Sequence, residues 1–175
     1  MGVVTSALAT TVFLLDLGLI AALIVFLARK MGKELEFLEP ADGFISDRKY
    51  YIVLTVASIA TAGSLYLSNV LGWTPCRLCW FQRIFMYPIV VLSASAIYLR
   101  KDDLKDYVMP LALIGIPIAL YHSIIQRIEQ FHSAGCSIME VSCETQYTFH
   151  YGYITVPVMA LTAFLAIAVI LWRYD

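Results

Sequence analysis

Five long apolar runs constrain this chain more than any other feature. A helix advances about 1.5 Å per residue, so roughly 20 mostly apolar residues are needed to cross about 30 Å of hydrocarbon. Stretches near Ala7–Ala28, Tyr50–Leu71, Gln82–Leu99, Tyr107–Gln126 and Gly152–Trp172 meet that requirement. They are too long for strands and lack period-two alternation. Backbone polar groups in lipid must be satisfied within the protein, so the expected fold is an all-α integral membrane bundle. Composition agrees: 61% of the 175 residues are hydrophobic and 14% charged, against roughly 45–50% and about 25% in soluble domains. With 12 Lys+Arg against 13 Asp+Glu the formal net charge is -1. No basic surplus exists for a phosphate backbone, which argues against nucleic-acid binding.

The first run carries no Lys or Arg ahead of it and is too long for the apolar part of a cleaved signal, so it reads as a retained span. Orientation follows from the basic residues. The 29–49 segment, the 100–106 segment and Arg173 together hold nine of them, whereas Arg77, Arg83 and Arg127 fall on the opposite side. The richer side is expected in the cytoplasm. The N-terminus and both cysteine pairs then lie outside, and the C-terminus inside. Residues 29–49 read as a solvated connector carrying no site. Asp16, within the first run, has two open readings: a functional intramembrane carboxyl, or one used for helix packing.

The orientation matters because disulfides persist outside the cytoplasm and are kept reduced within it. The 4 cysteines are Cys76, Cys79, Cys136 and Cys143. Thr74-Pro75-Cys76-Arg77-Leu78-Cys79 reads as a helix start, with Thr74 as cap and Pro75 in the first turn. The positive end of the helix dipole there favours thiolate, the form that attacks disulfides. Arg83 follows Cys79 by four residues on the same helical face, roughly 6 Å deeper. A charged group at that depth needs a partner, for which a thiolate or an anionic cofactor oxygen is suited. Two bland readings compete: a structural bridge, or half of a zinc site. The Cys136-x6-Cys143 spacing does not resemble a second zinc knuckle, so no metal is expected.

Cys136 and Cys143 lie in the longest outward segment, about 128–151. A bridge there closes a loop of only about eight residues and stabilises by no more than about 2–3 kcal/mol, so exchange explains it better than stability. His122 and Gln126 stand four apart at a depth close to that of Arg83. Together they suggest a polar niche between the third and fourth helices. For His122 an interhelical hydrogen bond and a cofactor contact are equally open. Pro110, Pro117 and Pro157 read as tolerated kinks. Trp73, Trp80, Tyr121, Tyr151 and Tyr153 fit an interfacial aromatic belt, with stacking on a flat ligand as the alternative. A disulfide that takes electrons from an exported dithiol must pass them on. The strongest thiol oxidants lie near about -120 mV, so the acceptor must lie higher, and a lipid-soluble quinone suits a site under the interface.

The run Pro75-Cys76-Arg77-Leu78-Cys79-Trp80-Phe81-Gln82-Arg83-Ile84-Phe85-Met86-Tyr87-Pro88 resembles the signature of the DsbB/BdbC family of membrane disulfide-forming oxidoreductases. Tyr121-His122-Ser123-Ile124-Ile125-Gln126 and Ile154-Thr155-Val156-Pro157 are similar to its later segments. The resemblance implies a four-helix redox domain over 50–175, preceded over 1–49 by one extra N-terminal transmembrane helix and a cytoplasmic loop. It implies a protein-disulfide:quinone oxidoreductase that reoxidises an extracytoplasmic thioredoxin-like protein of the DsbA/BdbD type and reduces ubiquinone or menaquinone. Transferred position by position, it implies that Cys136 forms the mixed disulfide with the partner and that Cys143 exchanges with Cys76. Cys79 would face the quinone, with Arg83, His122 and Gln126 as cofactor-binding residues. The extra helix and the short Cys136-to-Cys143 gap depart from the family pattern. Two rivals remain. One is a vitamin K epoxide reductase-like enzyme, whose CxxC is expected after the loop cysteines rather than before them. The other is a non-catalytic membrane scaffold or small transporter with structural bridges.

Overall fold

A computed structural model describes residues 2–32, 38–127 and 147–174. Cys136 and Cys143 lie outside the described residues. The described residues form five α-helices: α1 (Val3–Lys30), α2 (Glu39–Leu65), α3 (Arg77–Leu99), α4 (Leu104–Ile125) and α5 (Val156–Arg173). All five are long and apolar enough to cross a membrane. The protein is therefore an all-helical, multi-pass membrane protein, with no strand among the described residues.

The bundle is organised around α5, which packs on α4, α2 and α1, while α3 fills the space between α2 and α4. Phe164 and Ile167 of α5, Ile89 of α3, Val53 of α2 and Val108 of α4 form a fully buried core. The closest approach is set by Gly115: a Cβ there would lie 2.4 Å from the Phe164 ring, so only glycine lets α4 and α5 meet at this level. Small residues at helix interfaces are the usual means of close packing in lipid, where no hydrophobic drive pulls helices together. Leu14, Leu17, Leu23 and Ile24 of α1 are exposed, as lipid-facing side chains should be.

Several ends differ from the sequence expectation. The 29–49 segment is not simply a solvated connector, because α2 begins at Glu39 and carries its first turns beyond the apolar run. Its Asp42 accepts hydrogen bonds from Arg29 (2.6 Å) and from the Tyr174 hydroxyl (2.7 Å), and Arg173 lies 3.7 Å away. Helix geometry continues there because these charges pair with each other. At the other end α2 closes in a π-helical turn, Tyr66–Val70, a feature often found beside functional sites. Pro157 does not kink α5; it stands in the first turn, where its missing N–H costs nothing. The turn before it is closed by backbone bonds between His150 and Ile154 (3.0 and 2.9 Å). Tyr151 sits in it at φ 52, a left-handed conformation that costs a non-glycine residue about 1–2 kcal/mol.

Candidate functional site

The first cysteine pair opens α3, but two residues later than Thr74 and Pro75 suggested. Cys76 is the extended N-cap, Arg77 the first helical residue, and Thr74 makes no capping bond. The two cysteines thus occupy the N-cap and the first turn, where unsatisfied backbone N–H groups create positive potential. Both cysteines are free thiols. Cys76 is buried and donates to Cys79 Sγ at 3.3 Å, while Cys79 is half-buried. That hydrogen bond, and burial after it, push the Cys76 thiol up to about 12. Cys76 therefore holds its proton, and its S–H is aimed at the Cys79 sulfur.

His122 of α4 completes this pair. Its Nε2 lies 3.6 Å from Cys76 Sγ, and its Nδ1 lies 3.1 Å from the Gln82 side-chain amide. With the Gln82 Nε2 donating to Nδ1, the ring proton sits on Nε2 and points at the Cys76 sulfur. Gln82, His122 and Gln126 are all buried. The polar niche between the third and fourth helices is thus present, and Gln82 is a member that spacing alone did not single out. The donor atoms of Cys76, Cys79 and His122 lie within 4.8 Å of one another. That set has soft-metal character, but a structural zinc site normally takes four protein ligands, and three converge among the described residues.

Arg83 is 9% exposed and finds a partner that the sequence did not suggest. Its Nε donates to Ser64 Oγ (2.9 Å) and its Nη2 to the Ser64 carbonyl (3.0 Å), both on α2. The guanidinium lies 5.2 Å from the Trp80 ring centroid. Neither cysteine sulfur is its hydrogen-bond partner. Of the aromatic residues, Trp73 stacks on Tyr147 at 5.0 Å. Tyr151 and Tyr153 turn instead toward α1. The Tyr153 hydroxyl donates to Asp16 (2.8 Å), and Thr162 donates to the other Asp16 oxygen (2.6 Å). Asp16 is thus a helix-packing carboxyl. Arg127 is taken up by the Tyr153 carbonyl (2.6 Å).

These groups open on one cavity of about 290 Å³, bounded by Cys76, Cys79, Arg83, His122 and Gln126 at one end and by apolar side chains along its length. Its size is at the lower limit for small-molecule sites, about 300–1,000 Å³. A flat, mostly apolar molecule with one or two oxygen acceptors fits this donor set: arginine N–H groups and a thiol beside an otherwise apolar wall.

A helical membrane protein with a paired dithiol at a helix N-terminus, facing an apolar cavity, is a membrane thiol–disulfide protein. Residues 47–173 match the family model described as "Disulfide bond formation protein DsbB". The chain belongs to that family, which carries out oxidoreductase chemistry in disulfide formation. It is 43% identical over 111 residues to "Probable disulfide formation protein C 1" of Bacillus anthracis, covering 63% of this chain and 80% of the relative. "Disulfide bond formation protein C" of Bacillus subtilis (strain 168) is 40% identical over 119 residues, with 68% and 86% covered. "Probable disulfide formation protein" of Chlamydia trachomatis serovar D is 39% identical over 121 residues, with 69% and 87% covered. No solved structure matches the chain.

Proposed function

We propose that the protein reoxidises an extracytoplasmic thioredoxin-like dithiol protein and passes the electrons to a membrane quinone, ubiquinone or menaquinone. The observation that carries this reading is the unequal pair Cys76–Cys79 at the polar end of an apolar cavity, with Arg83 beside it. In the outer exchange a partner thiolate attacks Cys136 of a Cys136–Cys143 disulfide. The partner's second thiol then releases Cys136, so the partner leaves as a disulfide and the outer pair holds two electrons and two protons. In the inner exchange Cys143 attacks Cys76 of a Cys76–Cys79 disulfide and Cys79 departs as thiolate. Cys136 resolves the mixed bond, reforming the outer disulfide and leaving Cys76 as a thiol.

The residues on hand support those roles. Cys76 accepts the attack beside the His122 Nε2, which supplies a hydrogen bond to the sulfur. Cys79, as leaving group, is stabilised by the helix N-terminus, and once Cys76 is released as a thiol its S–H donates to the Cys79 sulfur. Cys143 precedes Tyr147 by four positions, a reach of at most about 14 Å, and Tyr147 stacks on Trp73, three residues ahead of Cys76. A quinone held beside Cys79 by Arg83 would supply the two-electron, two-proton acceptor needed to restore the inner disulfide. Arg83, held by Ser64, places a fixed positive charge and N–H donors at the cavity's polar end. We further propose that the N-terminus and both pairs face outward, with the C-terminus in the cytoplasm, from the distribution of basic residues.

The test is quinone-dependent oxidation of a reduced thioredoxin-like protein by the purified protein. Cys79→Ser should abolish turnover, and unchanged turnover rejects the reading. Extraction of the protein purified in mild detergent should yield ubiquinone or menaquinone and identify which is used.

A further inference from the structure

Helix α1 precedes the family-matched residues, which begin at 47. Its contribution to the cavity is therefore not implied by family membership. Leu8, Thr11, Val12 and Leu15 all line the same cavity as Cys79 and Arg83. Their spacing, i, i+3, i+4 and i+7, is one stripe of a helix, about 10 Å long. Val56, Ile59 and Ala60 of α2 line the same cavity. Side chains beside the stripe behave differently: Leu14 and Leu17 are exposed toward lipid.

The helix is clamped at both ends, which a loosely attached anchor would not be. Near the thiol end, Asp16 accepts hydrogen bonds from Tyr153 and Thr162, Thr10 meets the Tyr151 hydroxyl at 3.0 Å, and Phe13 stacks on Tyr151 at 5.1 Å. The left-handed Tyr151 backbone is retained in a turn whose side chain makes these α1 contacts. Near the opposite end Arg29 pairs with Asp42. Where the stripe comes closest to the polar end, Leu8 lies over Gly63; a Cβ on Gly63 would be 3.2 Å from the leucine methyls. Gly63 adjoins Ser64, the residue that holds Arg83.

We propose that α1 builds a hydrocarbon-chain subsite: Leu8, Val12 and Leu15 cover the chain of a quinone whose ring lies at Cys79 and Arg83. This inference rests on the quinone reading above. Continuity decides the occupant. The apolar length opens from the polar end of the same cavity, so a molecule with a flat polar ring and an apolar tail occupies both parts at once.

The inference is tested by equilibrium binding to the full chain in detergent, with two probes: a quinone bearing an alkyl chain and the same ring without it. Leu8→Trp and Leu15→Trp, on the cavity face, should weaken binding of the chain-bearing quinone about tenfold, the equivalent of roughly two buried methylene groups. Their affinity for the tail-less ring should be unchanged. Leu14→Trp, on the lipid face of the same helix, should alter neither. Should Leu15→Trp fail to fold, Leu15→Ala reads the same contact by lost burial. Equal loss for both probes, or cavity-face variants indistinguishable from Leu14→Trp, overturns the subsite while leaving the quinone reading intact. Wild-type protein that binds neither probe overturns the quinone reading, and the subsite with it.

Discussion

Ser64 holds the Arg83 guanidinium twice, through its side-chain oxygen at 2.9 Å and its backbone carbonyl at 3.0 Å, across the α2–α3 interface. A buried arginine fixed in this way cannot snorkel to the interface, and its remaining N–H donors are directed by the two that are engaged. Hydrogen bonds to charged groups contribute about 1.5–3 kcal/mol each, so loss of one loosens the guanidinium without expelling it. Ser64→Ala should therefore raise the quinone KM by roughly three- to tenfold, with the rate of exchange with the partner protein unchanged. Arg83→Ala should act in the same sense and more strongly. Arg83→Lys should resemble alanine more than arginine, since an ammonium lacks the planar fork that meets both Ser64 oxygens. Steady-state kinetics with quinone and partner varied separately distinguish this from general damage, which lowers both steps together.

The inequality between Cys76 and Cys79 makes a prediction about reactivity. Burial and the bond to Cys79 keep Cys76 protonated until about pH 12. A limiting amount of a membrane-permeant maleimide, applied to reduced protein at neutral to mildly alkaline pH, should modify Cys79 first, because thiolates react and thiols do not. Peptide mapping by mass spectrometry reads the order. In Cys79→Ser the largest cause of the Cys76 shift is gone, so Cys76 should become labelled at lower pH than in the wild type. Replacing His122 by Phe removes a neighbour that favours the Cys76 thiolate, and should suppress that labelling again.

How much of this could be seen in the sequence depends on which forces act locally. The five spans were legible because crossing hydrocarbon requires a long apolar run whatever the neighbours are. Cys76, Cys79 and Arg83 were legible because helix spacing alone places them on one end and one face. Ser64 and Gln82 were not: each is a polar residue in an apolar run whose meaning comes from a partner on another helix, Arg83 and His122 respectively. Tyr151 and Tyr153 fit a generic aromatic belt, yet their hydroxyls point at Thr10 and Asp16, a pairing between residues more than 130 positions apart. The polar start of α2 at Glu39 resembles a connector in sequence because charged residues lack an apolar period, although Arg29 and Arg173 neutralise Asp42 there.

Orientation is directly measurable. With the nine basic residues inside, an impermeant thiol reagent added to intact cells after mild reduction should reach Cys136 and Cys143. Labelling of these two only after the cytoplasmic face is opened would reverse the assignment, and with it the side on which the partner protein is met.

The Gly115–Phe164 contact should dominate the stability of the bundle. An alanine at 115 adds a methyl where the Phe164 ring already stands, 2.4 Å from the Cβ position. The ring is fully buried, so the added methyl must displace it or separate α4 from α5, at a cost of about 1–3 kcal/mol for overpacking. Phe164→Leu alone leaves a cavity and should destabilise by a few kcal/mol, in the range of large-to-small core changes. Combined, the two substitutions share the same space, and the double variant should be more stable than the sum of the single effects predicts. Thermal or denaturant unfolding in detergent for the four members of this cycle measures the coupling. Additive effects would mean that the two helices adjust independently and that the close approach at Gly115 does not hold the bundle together.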